Sequence, residues 1–149
     1  MRVLLQRTTQ ASVQIGEQIH GKINRGLVIL VGICRDDTED DACWLVQKII
    51  QMRIFADSDG KMNLSVQDIE GEMLVISQFT LHASTKKGNR PSFIQAARPE
   101  HAIPLYDFFI NRLNESNLKI ETGIFGADMQ VSLINDGPVT IWMDSKERE

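Results

Sequence analysis

Cysteine and histidine are scarce in this sequence. Cys34 and Cys43 are the only cysteines, and three histidines are scattered along the chain without the short spacings of a zinc site. Two cysteines do not make a disulfide framework, so we expect a reducing compartment. No Walker loop, dinucleotide-binding glycine motif or nucleophile elbow is present. The sequence therefore predicts neither a metal nor another cofactor.

Long apolar runs and an excess of positive charge are also missing. No run approaches the ~20 residues of a membrane span, and the basic start is too short in apolar residues for a secretory signal. We therefore expect a cytoplasmic protein without a membrane partner. The formal net charge is −4 and the isoelectric point is near 5.4. This balance argues against binding along extended nucleic acid, but not against recognition of one nucleotide at an RNA end.

Apolar residues make up 42% of the chain, and their spacing indicates several strands. Ala11, Val13 and Ile15 alternate with polar residues, and a return strand is predicted over residues 19–23. Short continuous apolar runs at 27–31 and 73–76 are typical of strands buried on both faces. Alternation around 131–133 and again at 139–143 predicts two last strands, separated by a break at 135–138.

Helical spacing occurs twice. Thr38, with Asp41 three residues later, resembles a capping box and predicts that a helix begins there. A second helix is predicted from about Pro104, since proline suits a first turn, with a core stripe at Leu105, Phe108, Phe109 and Leu113. No series of βαβ units is evident. We predict one α+β domain over residues 1–149, with two main helices on a curved or barrel-like, antiparallel or mixed sheet.

Polar residues follow the buried run at 73–76. Ser77-Gln78-Phe79-Thr80 places hydroxyls and an amide at a strand end, where they can line a pocket. The alternative, which the pattern alone favours, is that these side chains only satisfy backbone groups at a turn. His82 lies two residues beyond Thr80, so a histidine-activated hydroxyl is one possibility. A surface position for His82 is the favoured interpretation.

Two other features allow alternative interpretations. Gly137-Pro138 interrupts a strand pattern, and an ordinary trans turn is the default because only about 5–6% of X-Pro bonds are cis. Six cations are candidates for a basic rim around a pocket, but we interpret them as ordinary solvated residues. They are Arg7, Lys61, Lys86, Lys87, Arg90 and Arg98.

The same segments carry a resemblance to a known family. Ser77-Gln78-Phe79-Thr80-Leu81 and Asn135-Asp136-Gly137-Pro138-Val139-Thr140 resemble the two signature motifs of the D-aminoacyl-tRNA deacylases. The resemblance covers nearly the whole chain in order. It includes Arg7 with Ala11-Ser12-Val13, then Arg53-Ile54-Phe55, Gly60-Lys61-Met62-Asn63-Leu64, Arg90-Pro91-Ser92-Phe93, and the segment from Gly123 through Phe125 to Ala127-Asp128-Met129.

The resemblance implies a homodimer with two active sites at the subunit interface. Its substrate is an aminoacylated tRNA, of which the 3′-terminal adenosine and the D-aminoacyl group are bound. The family pattern implies catalytic roles for Ser77, Gln78 and Thr80, and backbone N–H groups near Phe79 and Thr80 that stabilise an oxyanion. It implies substrate contacts for the remaining site residues, which are Phe79, Met129, Arg7, Gly137 and Pro138.

The implied chiral filter is the Gly137-Pro138 dipeptide. The resemblance makes this bond cis, held by Arg7, with its carbonyls directed into the partner's pocket. There they capture the α-amino group and leave no room for an L side chain. Such a filter also predicts cleavage of glycyl-tRNA. Thr80 is one candidate nucleophile, but assistance by the terminal 2′-hydroxyl is favoured because no base for Thr80 is evident. Two other functions are alternatives to an enzyme: a binding module without turnover and a purely structural subunit.

Overall fold

The fold consists of eight strands, two α-helices and one 3-10 turn. It is described for residues 1–148 in a computed structural model. The elements are β1 (Arg2–Ile15), β2 (Gln18–Ile23), β3 (Gly26–Gly32), α1 (Glu39–Gln51), β4 (Phe55–Ala56), β5 (Met62–Leu64), β6 (Glu72–Ser77), the 3-10 turn (Phe79–His82), α2 (Pro99–Asn114), β7 (Ile120–Thr122) and β8 (Gln130–Asp144).

The long strand β1 organises the main sheet. On one edge its residues 2–8 pair with β3 and its residues 11–15 with β2, both antiparallel, while β8 pairs along the other edge. β6 is parallel to β3, and β7 is parallel to β6. A Cβ at Gly21 of β2 would lie 3.2 Å from the Thr122 carbonyl oxygen of β7, so the sheet curls back on itself. The predicted α+β class, with a barrel-like mixed sheet and two helices, is confirmed.

Two apolar clusters fill the molecule. The larger contains side chains of the sheet and both helices, with Phe55 and Phe109 fully buried. The smaller lies on the other face of the sheet and includes Val28 and Leu74. Because Leu27 and Ile29 belong to the first cluster and Val28 to the second, β3 is buried on both faces, as its apolar run predicted.

The helix starts follow the local sequence in one case and not in the other. The Asp41 carboxylate accepts the Thr38 N–H at 2.8 Å, as the predicted capping box requires. The second helix begins at Pro99, however, so the prediction of a start at about Pro104 was wrong. Pro99 takes the first-turn position, and Pro104 lies inside the helix with its ring exposed, at the loss of one intrahelical hydrogen bond.

Two connections differ from the sequence-based expectation. Since β3, β6 and β7 are parallel, α1 and α2 each lie in a crossover between parallel strands, and such units were not predicted. The predicted break at 135–138 also does not divide the last strand. β8 continues through it with a bulge, because Asn135 pairs with Thr8 and Thr140 already pairs with Gln6. Within residues 1–148, neither helix has the length and apolarity to cross a membrane.

Candidate active site

A cavity of about 300 Å³ opens where β3 and β6 end. This volume is at the lower end of the usual range for small-molecule sites. Most of the lining side chains are apolar and only Ser77, Gln78 and Asp128 are polar, so few groups can orient a ligand. The lining residues are Val31, Ile33, Ile76, Ser77, Gln78, Phe79, Ala97, Ala102, Phe125, Gly126, Ala127, Asp128, Met129 and Val131.

The 3-10 turn at the rim is fixed to the end of β3. Gln78 N–H donates to the Val31 carbonyl at 2.7 Å. A Cβ at Gly32 would lie 2.9 Å from both the Gln78 carbonyl oxygen and the Leu81 Cβ, so glycine is required for this close approach. Inside the turn, Leu81 N–H is the first donor, to Gln78 O at 3.2 Å. The two preceding N–H groups, on Phe79 and Thr80, therefore have no acceptor within the turn itself.

The side chains of the turn face different surroundings. Gln78 Nε2 donates to Thr80 Oγ1 at 2.5 Å. Thr80 is exposed and lies beside the cavity rather than in its wall. Phe79 is 56% exposed, and its ring contacts the edge of Phe93 with centroids 5.0 Å apart. Because so much of the Phe79 ring is exposed at the cavity, a nucleobase can stack on its face.

Met129 also lines the cavity. A Cβ at Gly123 would lie 2.3 Å from the Met129 sulfur. The thioether therefore occupies the space that the side chain of any residue other than glycine would need at position 123. Phe125 stands beside it and contacts the ring of Tyr106 at 6.0 Å between centroids. Tyr106 is itself fixed, because its hydroxyl donates to the Val75 carbonyl at 3.0 Å. Burial raises the pKa of Tyr106, so the hydroxyl remains a neutral donor.

Gly137 and Pro138 are exposed on the bulge of β8, and the bond between them is cis. Arg7, only 13% exposed, donates from Nε to the Asp136 carbonyl at 3.2 Å and from Nη1 to the Ile54 carbonyl at 2.5 Å. Asn135 closes the bulge, since its Oδ1 accepts the Val139 N–H at 3.0 Å. The exposed dipeptide is thus flanked by residues that side-chain hydrogen bonds hold in place.

His82 does not lie where the sequence interpretation placed it. Its side chain is 5% exposed, so the favoured surface position was wrong. It lines a second cavity, together with Arg2, Lys86 and Lys146, rather than the cavity of the 3-10 turn. Burial lowers the pKa of His82 and favours the neutral ring. No described contact joins it to Thr80, and within residues 1–148 its Nε2 has no hydrogen-bond partner.

The fold brings only part of the predicted site together. Ser77, Gln78, Phe79 and Met129 line one cavity. Thr80 lies at its edge, while the remaining predicted residues, which are Arg7, Gly137 and Pro138, form a separate cluster outside it. Sequence reasoning missed Ala97 and Ala102, small residues that leave room for the cavity and gave no polar signal. No cluster of three histidine, cysteine or carboxylate groups suited to a metal occurs among residues 1–148.

Comparison with known proteins decides the family. The model of the family described as D-Tyr-tRNA(Tyr) deacylase matches residues 4–144. The chain belongs to this family. It is therefore an enzyme, a deacylase that hydrolyses the ester bond of an aminoacyl-tRNA.

Two curated relatives match this sequence over their full length. The D-aminoacyl-tRNA deacylase of Akkermansia muciniphila is 61% identical, and that of Flavobacterium johnsoniae is 60% identical, each over 100% of both chains. These relatives favour an enzyme over a binding module without turnover and over a structural subunit.

Solved structures share the fold. The c-Myc DNA Unwinding Element Binding Protein superposes with a TM-score of 0.91 at 41% identity, covering 97% of this chain and 98% of its own. A probable eukaryotic D-amino acid tRNA deacylase superposes with a TM-score of 0.82, covering 95% of this chain and 97% of its own. At 18% identity, the second likeness concerns the fold alone.

Proposed function

We propose that this deacylase acts in the cytoplasm as a homodimer that removes D-amino acids from tRNA and rejects L-aminoacyl-tRNA through a filter shared between subunits. The Gly137-Pro138 dipeptide of one subunit enters the cavity of the other subunit that Ser77, Gln78 and Phe79 line. The observation that carries this proposal is the exposure of Gly137 and Pro138 on a bulge that Arg7 and Asn135 hold by hydrogen bonds, outside both apolar clusters.

Separation along β8 supports a contribution from a second copy. Val131 lines the cavity, whereas the bulge begins at Asn135, four residues further along the same strand. At 3.3 Å per residue this is roughly 13 Å. A dipeptide at that distance on a rigid strand does not reach its own cavity. The same exposure suits insertion into the cavity of a partner related by a twofold axis, where each dipeptide meets the other's cavity.

The chiral selection follows from steric exclusion. Backbone carbonyls of Gly137 and Pro138 accept hydrogen bonds from the substrate's α-ammonium group and so fix the α-carbon. With ammonium and ester both held, the hydrogen and the side chain lie on opposite sides of the plane through the nitrogen, the α-carbon and the carbonyl carbon. A D side chain then points to the open side, and an L side chain meets the dipeptide. The filter recognises no feature of a D side chain, so glycyl-tRNA, which has no side chain to exclude, is also a substrate.

Hydrolysis needs a nucleophile and a site for the developing oxyanion. The N–H groups of Phe79 and Thr80, left without acceptors in the 3-10 turn, are suited to the oxyanion. Thr80 is a poor nucleophile here, because its hydroxyl accepts from Gln78 and His82 lines a different cavity. We therefore assign activation of the attacking water to the 2′-hydroxyl of the terminal ribose. The ester C–O bond breaks, the 3′-oxygen leaves with a proton, and water's oxygen stays with the amino acid.

Mixed dimers test the shared filter. Ala127→Trp fills the cavity, and Gly137→Ala displaces the dipeptide; each homodimer should lose activity toward D-tyrosyl-tRNA. Refolding the two together creates dimers in which one cavity and one filter are intact, and activity should return to about a quarter of the wild-type value. If no activity returns, although mass spectrometry shows that mixed dimers formed, cavity and filter belong to the same chain and the proposal is wrong.

A direct assay tests the glycine proposal. Glycyl-tRNA and D-alanyl-tRNA, which differ by one methyl group, are offered at equal concentration to the wild-type protein. Cleavage of both supports pure steric exclusion of L side chains. Complete resistance of glycyl-tRNA, with D-alanyl-tRNA cleaved, would mean that the site recognises the D side chain itself.

A further inference from the structure

The segment after the 3-10 turn has an unusual charge balance. Between Glu72 and Glu100 the chain contains no Asp or Glu and four cations, which are Lys86, Lys87, Arg90 and Arg98. The remainder of the chain therefore carries twice the net negative charge of the whole. In a protein this acidic, a stretch of one sign that long is a localised positive surface, and such surfaces attract anionic ligands.

Three of these cations lie on one small closed loop. Ser84 N–H donates to Ser92 O at 2.8 Å, and Ser92 N–H donates to Ser84 O at 2.9 Å, so residues 84–92 form a loop with paired ends. Gly88 in the middle has a φ of +67° and reverses the chain. We call this segment the basic loop. Lys86, Lys87 and Arg90 are exposed on it, and none of them makes an ion pair within the described chain, 1–148.

The loop leaves from the rim of the candidate active site. It begins directly after the 3-10 turn, and it ends next to Phe93, whose ring contacts Phe79 at 5.0 Å between centroids. Ala97, shortly beyond, lines the cavity. With seven residues between the paired serines, the loop tip lies at most about 12 Å from its base. The backbone of Lys86, Lys87 and Arg90 is thus held within about 12 Å of the loop base beside Phe93. None of the three lines the cavity of the 3-10 turn, and Lys86 lines the neighbouring cavity that contains His82.

We propose that the basic loop binds the phosphodiesters next to the terminal nucleotide of the tRNA. The proposal rests on the proposed function, because the ester bound in the cavity fixes where the RNA backbone must continue. An aminoacyl ester sits on the terminal ribose, and the first phosphate follows on that nucleotide's 5′ side. Lys86, Lys87 and Arg90 then form ion pairs that neutralise this strand as it leaves the cavity.

A triple variant, Lys86→Ala/Lys87→Ala/Arg90→Ala, tests the proposal. Deacylation of D-tyrosyl-tRNA is measured across a range of salt concentrations, alongside the matched control Lys48→Ala/Arg112→Ala/Arg148→Ala. The control removes the same charge from positions on or beside the helices, away from the cavity. We expect KM to rise so that kcat/KM falls about ten- to a hundred-fold at low salt in the loop variant, while the control stays near wild type. The logarithmic salt dependence of kcat/KM should become shallower by about 2, since each phosphate contact contributes roughly 0.7.

Two further measurements keep the outcomes distinct. D-Tyrosyl-adenosine has no phosphodiester, so the loop variant and wild type should cleave it equally. The charge-preserving variant Lys86→Arg/Lys87→Arg/Arg90→Lys should recover cleavage of D-tyrosyl-tRNA. An unchanged salt dependence in the loop variant, with wild type active, overturns the loop proposal alone; equal losses on both substrates overturn it too, since they indicate damage to the cavity. Failure of wild type to cleave either substrate overturns the proposed function.

Discussion

Arg7 and Gly137 are fitted against each other across two strands. A Cβ built on Gly137 would lie 3.0 Å from Arg7 Nη2 and 2.9 Å from the Val139 side chain, at a φ of +122° that L residues rarely adopt. The same guanidinium donates to the carbonyl of the residue before Gly137. Arginine and glycine thus fix together the position of the dipeptide that we assign to chiral selection.

Gly137→Ala should therefore disturb activity more than stability. The added methyl group displaces the dipeptide, and misplacement of about 1 Å at a positioning group costs on the order of a hundred-fold in rate. We expect kcat/KM for D-tyrosyl-tRNA to fall by about that factor. The matched control is Gly16→Ala, at a φ of +59° with no atom within 4 Å of the new Cβ. Equal activity of the two variants would contradict a role for Gly137 in the site.

Removal of Arg7 should affect both stability and selectivity. Arg7→Ala leaves the carbonyls of Asp136 and Ile54 without their charged donor, which costs about 2–3 kcal/mol in the free energy of unfolding. Arg112→Ala, which breaks only an exposed ion pair with Glu115, should cost less than about 0.5 kcal/mol. Denaturant titration compares the two, and the ratio of D to L cleavage should fall only in the Arg7 variant. An unchanged ratio of D to L cleavage in Arg7→Ala would contradict a role for Arg7 in chiral selection.

Thr80→Ala separates the two mechanisms. If the terminal 2′-hydroxyl activates water, loss of the Thr80 hydroxyl removes only a partner of Gln78, and single-turnover cleavage should slow by no more than about tenfold. If Thr80 is the nucleophile, the loss should exceed about 10⁴-fold. The complementary substrate carries D-tyrosine on a terminal 2′-deoxyadenosine. We expect the wild-type protein to be inactive on this 2′-deoxy substrate. Normal cleavage of it would show that a group of the protein, and not the 2′-hydroxyl, activates the nucleophile.

His82 should make stability depend on pH near neutrality. Burial lowers its pKa in the folded protein, whereas the unfolded chain keeps a value of about 6.5. The unfolded state then binds more protons between these two values, so the free energy of unfolding should fall as the pH drops below about 6.5. His82→Gln should flatten this dependence between pH 7 and 5, and the exposed control His20→Gln should not. Equal slopes in all three proteins would contradict the assigned burial.

Local sequence was sufficient for much of the fold. The strand of 27–31 was predicted because both faces are apolar, and α1 because Thr38 and Asp41 make a capping box that depends on four adjacent residues. Pro104 misled the prediction of α2, because Pro99 already occupies the first turn and the helix continues through an exposed Pro104 at the loss of one hydrogen bond. The parallel pairing of β6 with β7 was not predictable, since it depends on contacts made after the chain has crossed a helix.

The candidate site was predictable only as separate pieces. Ser77, Gln78 and Phe79 could be named because a strand end carries polar residues, and the family motifs added Met129. Two other features depend on tertiary packing and could not be predicted from local sequence. Gly123 leaves space for the Met129 thioether, and His82 is buried away from Thr80. Sequence spacing placed His82 beside Thr80, but the 3-10 turn directs the two side chains to different surroundings.

The most direct test of a D-specific deacylase is one competition assay. Purified protein is given D-tyrosyl-tRNA and L-tyrosyl-tRNA, and release of each amino acid is followed separately. We expect rapid loss of the D ester with the L ester intact at the same enzyme concentration. Cleavage of both esters at similar rates would contradict the chiral filter and leave an unselective esterase, and cleavage of neither would contradict the deacylase function itself.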